Sequence, residues 1–247
     1  MSKPAAGVAK PSITISVVSH GQGELIVSLL RSLEAFNLSQ VEIILTLNIY
    51  EPRTFLAPFH DLPLRIIENK RPLGFGANHN QAFLQSRTDF FCIVNPDVRL
   101  ADSAFLRLPL YFEGSVGAVG PAVVGDDNAL EDSARRDPTF FRLFKRRILG
   151  SRDPDYVAGH EPIRVDWLAG MFVLFRREAF QDVGGFDERY FMYMEDADIC
   201  RRLRRQGWSV NLVPNIKVVH AAQRASHRNP RHLGWHLRSI IRYLVGF

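Results

Sequence analysis

The sequence predicts an α/β protein in which one mostly parallel, Rossmann-like central sheet is flanked by helices. Apolar, β-branched runs of strand length alternate along the chain with segments whose apolar residues recur at helical spacing. Such alternation is typical of βαβ units, in which helices cover both faces of a parallel sheet. The chain has 247 residues, 46% of them hydrophobic and 23% charged, which is enough to bury one sizeable core.

The first half of the chain alternates regularly between the two kinds of element. Its predicted strands are Ile13–Ser19, Val41–Leu47, Leu64–Glu68 and residues 89–94. One predicted helix begins near Glu24, and a second, which carries Ala82, follows a glycine-containing segment at residues 69–80. Residues 1–12 are rich in Pro and Ala, and we expect them to form a flexible tail.

The second half of the chain is less regular. Short helices are predicted at residues 102–112 and just before Gly184. Residues 125–161 are polar, basic and irregular, and we interpret them as a mobile excursion over the functional site. The remaining predicted strands are residues 116–123, 167–175, 210–213 and 217–219.

Polar residues follow several predicted strands, at the edge of the sheet where α/β proteins bind ligands. They are His20, Asn48, Asn95, Asp97 and His220. Asp97 alone would be a turn former after Asn-Pro, and a lone histidine at a strand end is usually a surface or packing residue. Together, this carboxylate and imidazole can hold Mg²⁺ or Mn²⁺ against a diphosphate, which would supply further oxygen ligands.

Three acids, Glu195, Asp196 and Asp198, open a predicted helix that ends in arginines. Complementarity with the helix dipole would explain that order of charges by itself. However, the acids directly follow a bulky, half-apolar segment at residues 190–194, which could desolvate a carboxylate and form the wall of a pocket. A carboxylate in that setting can act as a general base.

Several other classes of protein lose support. The segment at residues 74–80 lacks the Gly-Lys-Ser/Thr of a Walker loop and the dinucleotide fingerprint, which argues against kinases and dehydrogenases. Cys92 and Cys200 have neither metal-ligand spacing nor a disulfide-rich context, so we expect two buried thiols. No apolar run reaches the roughly 18 to 20 residues of a bilayer span, and the N-terminus lacks the apolar core of a signal peptide, so a cytoplasmic protein is predicted.

The C-terminal segment, residues 223–247, is predicted to be a basic amphipathic helix. Beyond residue 216 the chain carries Lys and Arg but no Asp or Glu, which implies an anionic partner. The absence of a nucleic-acid-binding motif argues against nucleic acid as that partner. An apolar stripe either packs on the rest of the chain or docks on an anionic membrane leaflet, and it consists of Leu233, Leu237, Ile240, Ile241 and Leu244.

Five stretches occur in a specific order along the chain. They are ITISVVSHG, NKRPLGFGANHNQAF, FCIVNPDV, the block that runs from LAGMFVLFRREAF to MEDADICRRLRRQGW, and KVVH. Their combination resembles family 2 glycosyltransferases, especially the bacterial rhamnosyltransferase-like branch, over residues 13–220. The resemblance implies a GT-A fold at residues 13–222, a nucleotide-diphosphate sugar donor, a divalent metal (Mg²⁺ or Mn²⁺) and inversion at the anomeric carbon.

The resemblance also implies catalytic and metal-binding roles. Asp97 matches the last acid of the family's Asp-X-Asp metal motif, in which Asn95 replaces the first acid, and His220 matches its late metal-binding histidine. Asp196 matches the catalytic base of the family's Glu-Asp motif, and Glu195 is the alternative base.

Two further sets of residues match substrate-binding positions of the family. Ser19, His20 and Asn48 fall where the nucleoside is held, and Asn78 is placed near the donor. Asn48 stands where many members carry an Asp that contacts the base, and His20 replaces a frequent Tyr. The positions that shape the donor and acceptor pocket are Trp167, Gly170 and Met171.

The expected activity is transfer of a sugar from a dTDP- or UDP-sugar, with dTDP-rhamnose as the first candidate, to a hydroxyl of a glycan or lipid-linked acceptor. Such a hexosyltransferase would build bacterial surface polysaccharide such as O-antigen, as a cytoplasmic enzyme peripheral on the inner face of the cell membrane.

A catalytically degenerate sugar-nucleotide-binding module is the alternative, favoured by Asn95 and Asn48 and disfavoured by the intact acids. A sugar nucleotidyltransferase would need a basic, Gly-rich loop after the first strand, which HGQGE does not supply. The pattern predicts no particular oligomeric state.

Overall fold

The computed structural model describes residues 12–126, 129–139, 142, 155–156, 159–220 and 230–246. Nearly all of the predicted N-terminal tail therefore lies outside the described residues. The strands are β1 (Ile13–Ser19), β2 (Val41–Leu47), β3 (Leu64–Glu68), β4 (Phe90–Val94), β5 (Val98–Arg99), β6 (Val116–Val124), β7 (Ala134–Arg135), β8 (Ile163–Arg164), β9 (Trp167–Leu168), β10 (Phe172–Arg176) and β11 (Ser209–His220). The helices are α1 (Gly23–Glu34), α2 (Phe75–Gln85), α3 (Arg177–Asp182), α4 (Glu195–Arg205) and α5 (Pro230–Val245), with 3-10 helices at Arg53–Phe59 and Ser103–Tyr111.

The central sheet has the strand order β3-β2-β1-β4-β10-β6-β11-β5, and β8 pairs with the side of β11. The strands β3, β2, β1 and β4 are mutually parallel, and β11 runs parallel to β6. The first four strands are connected through α1, a 3-10 helix and α2, and such crossovers return the chain in the same direction. The carboxyl ends of β1, β2 and β4 therefore meet at one edge, as the sequence predicts.

The other half of the sheet adds antiparallel strands to the mostly parallel arrangement. The strand β10 is antiparallel to both β4 and β6, and β5 and β8 are antiparallel to β11. Among the described residues, β10 directly follows the short strands β8 and β9 and a turn at residues 170–171, so no crossover of the βαβ type imposes a parallel direction there. Six of the nine described strands of this sheet share one direction, so the predicted mostly parallel α/β arrangement is confirmed, with β5, β8 and β10 as antiparallel additions.

Alternate residues of the central strands face two hydrophobic cores on opposite sides of the sheet. In β4, Cys92 and Val94 face the core that α1 and the two 3-10 helices cover, whereas Phe91 and Ile93 face the core that α3 and α4 cover. This period of two is what a strand buried on both faces requires. Cys92 and Cys200 are both buried free thiols, as predicted.

Two elements differ from their predicted form. The helix predicted at residues 102–112 is the 3-10 helix Ser103–Tyr111, which contains Pro109. Proline has no N–H to donate within a helix, and an α-helix of this length would leave one carbonyl without its partner. The two strands predicted after residue 209 form the single strand β11, whose pairing with β6 shifts between Val213 and Lys217.

Part of the span interpreted as a mobile excursion has defined pairing. The strand β7 pairs antiparallel with β9, and the Glu131 N–H donates to the Val123 carbonyl over 2.8 Å. Residues 129–139 therefore lie beside the carboxyl end of β6 and beside β9. The rest of the span lies outside the described residues, apart from residues 125–126, 142, 155–156 and 159–161.

The helix α5 packs through one face on the core that α3 and α4 also cover, which we call the second core. Tyr243 is buried there, and Ile240 packs beside it. Most of the predicted apolar stripe does not pack on the described part of the chain, because Leu233, Leu237 and Ile241 are exposed. Within the described part of the chain, every helix is too short or too polar to cross a bilayer.

Candidate active site

The strand predicted at residues 167–175 is in fact two strands, because a turn at Gly170 directs its peptide groups away from the sheet. The Gly170 N–H donates to Asp196 Oδ2 over 3.0 Å. The carbonyl of the next residue, Met171, accepts a hydrogen bond of 2.9 Å from the Asn95 N–H. This turn therefore joins the carboxyl end of β4 to the first turn of α4.

The helix α4 begins directly after two residues with left-handed backbone. Tyr193 has φ of 71° and Met194 has φ of 68°, conformations that cost a non-glycine residue roughly 1 to 3 kcal/mol each. Met194 is buried in the second core, and Tyr193 Oη lies 2.8 Å from His232 Nδ1 on α5. These contacts hold a sharp turn that places Glu195 and Asp196 in the first turn of α4.

Asp196 accepts hydrogen bonds at both carboxylate oxygens. Besides the bond from Gly170, its Oδ1 accepts from the Ala197 N–H over 2.8 Å. Burial raises the pKa of Asp196, while these two N–H groups and the charge of Arg135 act in the opposite direction. The result is a carboxylate that is more basic than usual and is still stabilised in its ionised form, which suits it to accept a proton from a hydroxyl.

The neighbouring carboxyl group has a different environment. Glu195 is only 6% exposed, and its Oε2 is buried without a hydrogen-bond partner among the described residues. Burial, together with the negative charge of Asp196, raises the pKa of Glu195 well above its usual range. Burial and mutual repulsion therefore favour the neutral form of Glu195 and leave the negative charge mainly on Asp196.

A second cluster of charged groups follows β4 and ends β11. His220 Nε2 lies 3.3 Å from Asp97 Oδ2, and His220 Nδ1 lies 2.8 Å from Glu131 Oε2. Burial by itself would lower the pKa of His220, but hydrogen bonding and the charges of Asp97 and Glu131 more than offset this, so its pKa is raised. Glu131, which the sequence pattern did not single out, fixes the orientation of the imidazole.

The residues of this cluster fit a divalent cation. Asp97 Oδ1 is buried and has no hydrogen-bond partner among the described residues, and a carboxylate oxygen and an imidazole nitrogen suit Mn²⁺ or Mg²⁺. Within the described residues, no three or more His, Cys, Asp or Glu side chains are arranged to hold a metal. A cation at Asp97 and His220 would therefore take its remaining ligands from a bound diphosphate and from water.

The residues predicted to hold the nucleoside lie at the carboxyl ends of β1 and β2, away from the acid pair. Ser19 is fully buried, and its hydroxyl donates to Glu51 Oε1 over 2.6 Å. The same oxygen accepts from the Gly21 N–H over 2.7 Å. Ser19 therefore shapes the loop between β1 and α1, which we call the first loop (residues 20–22), through Glu51. His20 is an exposed residue of that loop.

The asparagines of this region are mainly braces for the 69–74 loop. Asn48 Oδ1 accepts from the Leu73 N–H over 2.8 Å and from Asn69 Nδ2 over 2.9 Å, and Asn48 Nδ2 lies 3.3 Å from His20 Nδ1. Asn78 is fully buried and donates to the Gly74 carbonyl over 2.9 Å. Their amide groups are thus used within the protein, so Asn48 and Asn78 position a loop rather than project into open space.

A small cavity of about 90 Å³ opens at the carboxyl ends of β2 and β3. Tyr50, whose side chain is 91% exposed, stands at its rim and offers an aromatic face. Two of its lining residues contact the predicted nucleoside residues, since Glu51 accepts from Ser19 and Asn69 donates to Asn48. The cavity therefore lies next to Ser19, His20 and Asn48. Its lining residues are Leu47, Ile49, Tyr50, Glu51, Glu68 and Asn69.

Trp167, which was predicted to shape the substrate pocket, is buried beside Arg135 and Arg136. It is 6% exposed, its Nε1–H donates to the Arg136 carbonyl over 3.0 Å, and the Arg135 guanidinium lies 5.1 Å from its ring centre. Arg135 brings a positive charge close to Asp196 and was not predicted as a site residue. The signal that could have found Glu131 and Arg135 is weak, because both lie in an irregular span where only long-range pairing brings them to the site.

Residues 11–234 match the sequence profile of the family described as glycosyltransferase like family 2. The chain belongs to the family 2 glycosyltransferases. It is 34% identical over 211 residues, 74% of this chain and 67% of the relative, to an N-acetylglucosaminyl-diphospho-decaprenol L-rhamnosyltransferase of Mycobacterium tuberculosis. It is 32% identical over 189 residues, 70% of each chain, to the rhamnosyltransferase WbbL of Escherichia coli.

A solved structure shares the fold of this glycosyltransferase. The mannosyltransferase PcManGT of Pyrobaculum calidifontis, in complex with GDP-Man and Mn²⁺, superposes with a TM-score of 0.64 at 19% identity. The match covers 94% of this chain but 65% of that one, so the chain spans just under two thirds of the solved structure's length. The predicted family, its GT-A fold and the class of enzyme are confirmed.

Proposed function

We propose that this glycosyltransferase moves a sugar, with rhamnose as the first candidate, from a dTDP- or UDP-linked donor to a hydroxyl of a lipid-linked glycan, with inversion. The observation that carries the proposal is the hydrogen-bonded Asp196 carboxylate, held by Gly170 beside the carboxyl end of β4. The names of the two relatives support rhamnose, and one of those names includes a diphospho-decaprenol acceptor. Such an acceptor belongs to the synthesis of surface polysaccharide.

The acceptor hydroxyl must lose a proton as its oxygen attacks the anomeric carbon. Asp196 takes that proton, the new C–O bond forms, and the bond from the anomeric carbon to the diphosphate oxygen breaks with its electron pair on the diphosphate. Attack from the face opposite the leaving group inverts the anomeric configuration. General-base assistance of this kind is typically worth about 10²- to 10⁴-fold in rate. Burial and the charge of Asp196 favour the neutral form of Glu195, so this neighbour adds little repulsion beside the proposed base.

Asp97 and His220 would hold a divalent cation on the diphosphate side of the site. Such an ion supplies positive charge where the leaving diphosphate gains negative charge. Glu131 holds the imidazole of His220 by its other nitrogen, over 2.8 Å, which leaves Nε2 facing Asp97. Mn²⁺ in the complex of the archaeal mannosyltransferase supports this assignment.

The donor's nucleoside would lie over the first loop and the cavity at the ends of β2 and β3. Tyr50 offers an exposed ring on which a base can stack, and Glu51 shapes the loop by accepting from Ser19 and Gly21. The two buried asparagines, Asn48 and Asn78, keep the neighbouring 69–74 loop in place. Specificity for one base then depends on contacts at the rim of this cavity.

A donor screen tests this proposal. The purified chain is heated with Mn²⁺ and with dTDP-rhamnose, UDP-, GDP- or CMP-sugars, because a ligand that binds only the folded state raises the melting temperature. We expect the largest rise with one nucleotide class, and with that donor plus a lipid-linked acceptor we expect a glycoside whose anomeric configuration, read by NMR, is inverted. A product of retained configuration would contradict the proposed inverting mechanism. Binding of a donor without any transfer would contradict the proposed activity and favour the degenerate binding module.

A further inference from the structure

The helix α5 has two faces that differ in what they contact. On the inner face, Ser239 is buried and its hydroxyl donates to the Met192 carbonyl over 2.9 Å. Tyr243, on the same face, is buried, and its ring lies under the Arg201 guanidinium at 3.9 Å. On the opposite face, three aliphatic side chains are more than half exposed: Leu233 at 58%, Leu237 at 52% and Ile241 at 61%.

This outward stripe is the main concentration of exposed apolar surface in the described part of the chain. Ten large hydrophobic side chains are exposed there, and five of them lie on this one 16-residue helix. Contiguous exposed stripes of this kind mark an interaction surface, whereas single exposed residues need no explanation. The five are Leu233, Leu237, Ile241, Leu244 and Val245.

The charge around the stripe identifies its partner. Residues 199–247 contain no Asp or Glu, so every charged side chain in that part of the sequence is basic or a histidine. Arg238 lies along the edge of the stripe, is exposed, and has no ion-pair partner among the described residues. An apolar stripe bordered by uncompensated positive charge is complementary to the surface of an anionic lipid bilayer, which offers acyl chains below and phosphates above.

An aromatic pair reinforces this complementarity. The Trp235 and Phe191 rings lie 4.8 Å apart between centroids, beside the stripe. They border a shallow cavity of about 180 Å³ whose lining includes both Arg238 and Arg189. Tryptophan favours the headgroup level of a membrane, where its ring is apolar and its N–H can meet water or phosphate oxygens.

We propose that the outward face of α5 docks on an anionic lipid bilayer, with the helix lying in the plane of the interface. The helix is too short to span a bilayer, so it would bury its stripe to a shallow depth and keep Arg238 at the phosphates. The inner face binds the turn that precedes Glu195 and Asp196, through Met192 and through the pairing of Tyr193 with His232. Docking would thus bring the acid pair close to the lipid surface.

The docking proposal deepens the proposed function, since a lipid-linked acceptor would be presented at that surface. It is tested separately, however, because vesicle binding requires neither donor nor transfer. The full chain is sedimented with vesicles of phosphatidylcholine alone and with vesicles of an equal mixture of phosphatidylcholine and phosphatidylglycerol. We expect binding to the anionic vesicles only, and weaker binding as KCl is raised, because salt screens the contribution of the arginines.

Two variants test the face itself. Replacing two stripe residues, in Leu237→Gln/Ile241→Gln, should weaken vesicle binding about tenfold or more, because two aliphatic side chains lose their burial in lipid. Arg238→Gln should weaken it about fivefold, the effect of one surface cation. The matched control is Leu84→Gln/Leu110→Gln, which alters two side chains that are 73% and 70% exposed elsewhere and should leave vesicle binding unchanged.

The results that would overturn the proposal are equally concrete. Binding of the stripe variant at the parental level would exclude this face as the docking surface. Absence of vesicle binding by the parent would exclude a bilayer as the partner. If the parent is instead a dimer by sedimentation equilibrium and the stripe variant is a monomer, the occupant is a second copy of the chain and the proposal is wrong. Melting temperatures confirm that each variant is folded.

Discussion

Asp196 and Glu195 are adjacent in sequence and have opposite surroundings. The Asp196 carboxylate accepts two N–H hydrogen bonds, from Gly170 and Ala197, whereas Glu195 presents a buried oxygen that has no hydrogen-bond partner in the described part of the chain. Two carboxyl groups that repel each other in a buried site cannot both ionise easily, so the one that accepts hydrogen bonds carries the charge. This asymmetry is the physical reason to assign proton abstraction to Asp196.

At the same scale, the proposed metal site depends on one imidazole. In His220→Gln, the additional rise in melting temperature that Mn²⁺ gives in the presence of the donor should disappear, because one of the two protein ligands is lost. A ligand at about 100 times its dissociation constant stabilises by about 2.7 kcal/mol, so the loss should be easily measured by thermal shift. His60→Gln is the control, since this histidine is exposed and pairs only with Asp61 in the described structure. A full Mn²⁺ effect in His220→Gln would contradict the assignment.

At the scale of elements, the start of α2 rests directly on the turn before the acid pair. The Phe75 N–H donates to the Phe191 carbonyl over 2.9 Å, and a Cβ added to Gly74 would lie 2.7 Å from that same carbonyl oxygen. Only glycine allows the two segments to approach this closely. The contact couples the end of the 69–74 loop to the turn that presents Asp196.

The substitution Gly74→Ala should therefore separate these two elements. We expect the free energy of unfolding to fall by about 1 to 3 kcal/mol, as for other overpacked sites, and transfer activity to fall more than stability alone explains. Urea denaturation and an activity assay at a temperature well below unfolding measure the two effects. Gly159→Ala serves as the control, because an added Cβ there meets nothing within 4 Å. Equal behaviour of the two variants would show that the close contact is unimportant.

The elements that local pattern alone determines were predictable. The bounds of β1, β2 and β3 agree with the sequence prediction, because runs of strand length that are rich in Ile, Val and Leu end at clear polar residues. The break at Gly170 was not predictable, since it depends on a hydrogen bond to Asp196, 26 residues away. A continuous apolar run that predicts one strand can thus be divided into two strands by a hydrogen bond to a distant residue.

The same distinction applies to the site. Asp97, Asp196 and His220 follow recognisable elements and motifs, so the sequence could nominate them. Their environments could not be read in the same way: Glu131 approaches His220 from 89 residues away, within an irregular span. Conversely, Asn48 and Asn78 were nominated for ligand contact, yet their amides are engaged in bracing the 69–74 loop. Burial and long-range pairing, which sequence patterns carry only weakly, decide such cases.

At the scale of the whole molecule, the acid pair makes stability depend on pH. The pKa of Glu195 is raised well above its ordinary value near 4.5, and that of Asp196 is raised too, mainly by burial. Over the range between the unfolded and folded pKa values, the folded state therefore holds more protons than the unfolded state. Stability from the neutral Glu195 carboxyl is complete below its unfolded pKa and is lost as the pH rises toward the folded pKa.

The variant Glu195→Gln should reduce that dependence. Its melting temperature is expected to fall less than that of the parent as the pH rises from about 5 to 8, because one titrating group and its repulsion with Asp196 have been removed. Thermal denaturation across that pH range measures the difference, with Glu161→Gln, an exposed acid, as the control. Parallel curves for the parent and Glu195→Gln would show that ionisation of Glu195 does not cause the loss of stability as the pH rises.

The most direct test of the whole account is sugar transfer by Asp196→Asn. With the donor identified by the screen, we expect the rate of transfer to fall by at least about 10²-fold, because asparagine cannot accept the acceptor's proton. The donor-induced rise in melting temperature should remain, and Asp61→Asn, which alters an exposed carboxylate, should transfer normally. Transfer by Asp196→Asn at the parental rate would contradict the account and would move the role of base to another group.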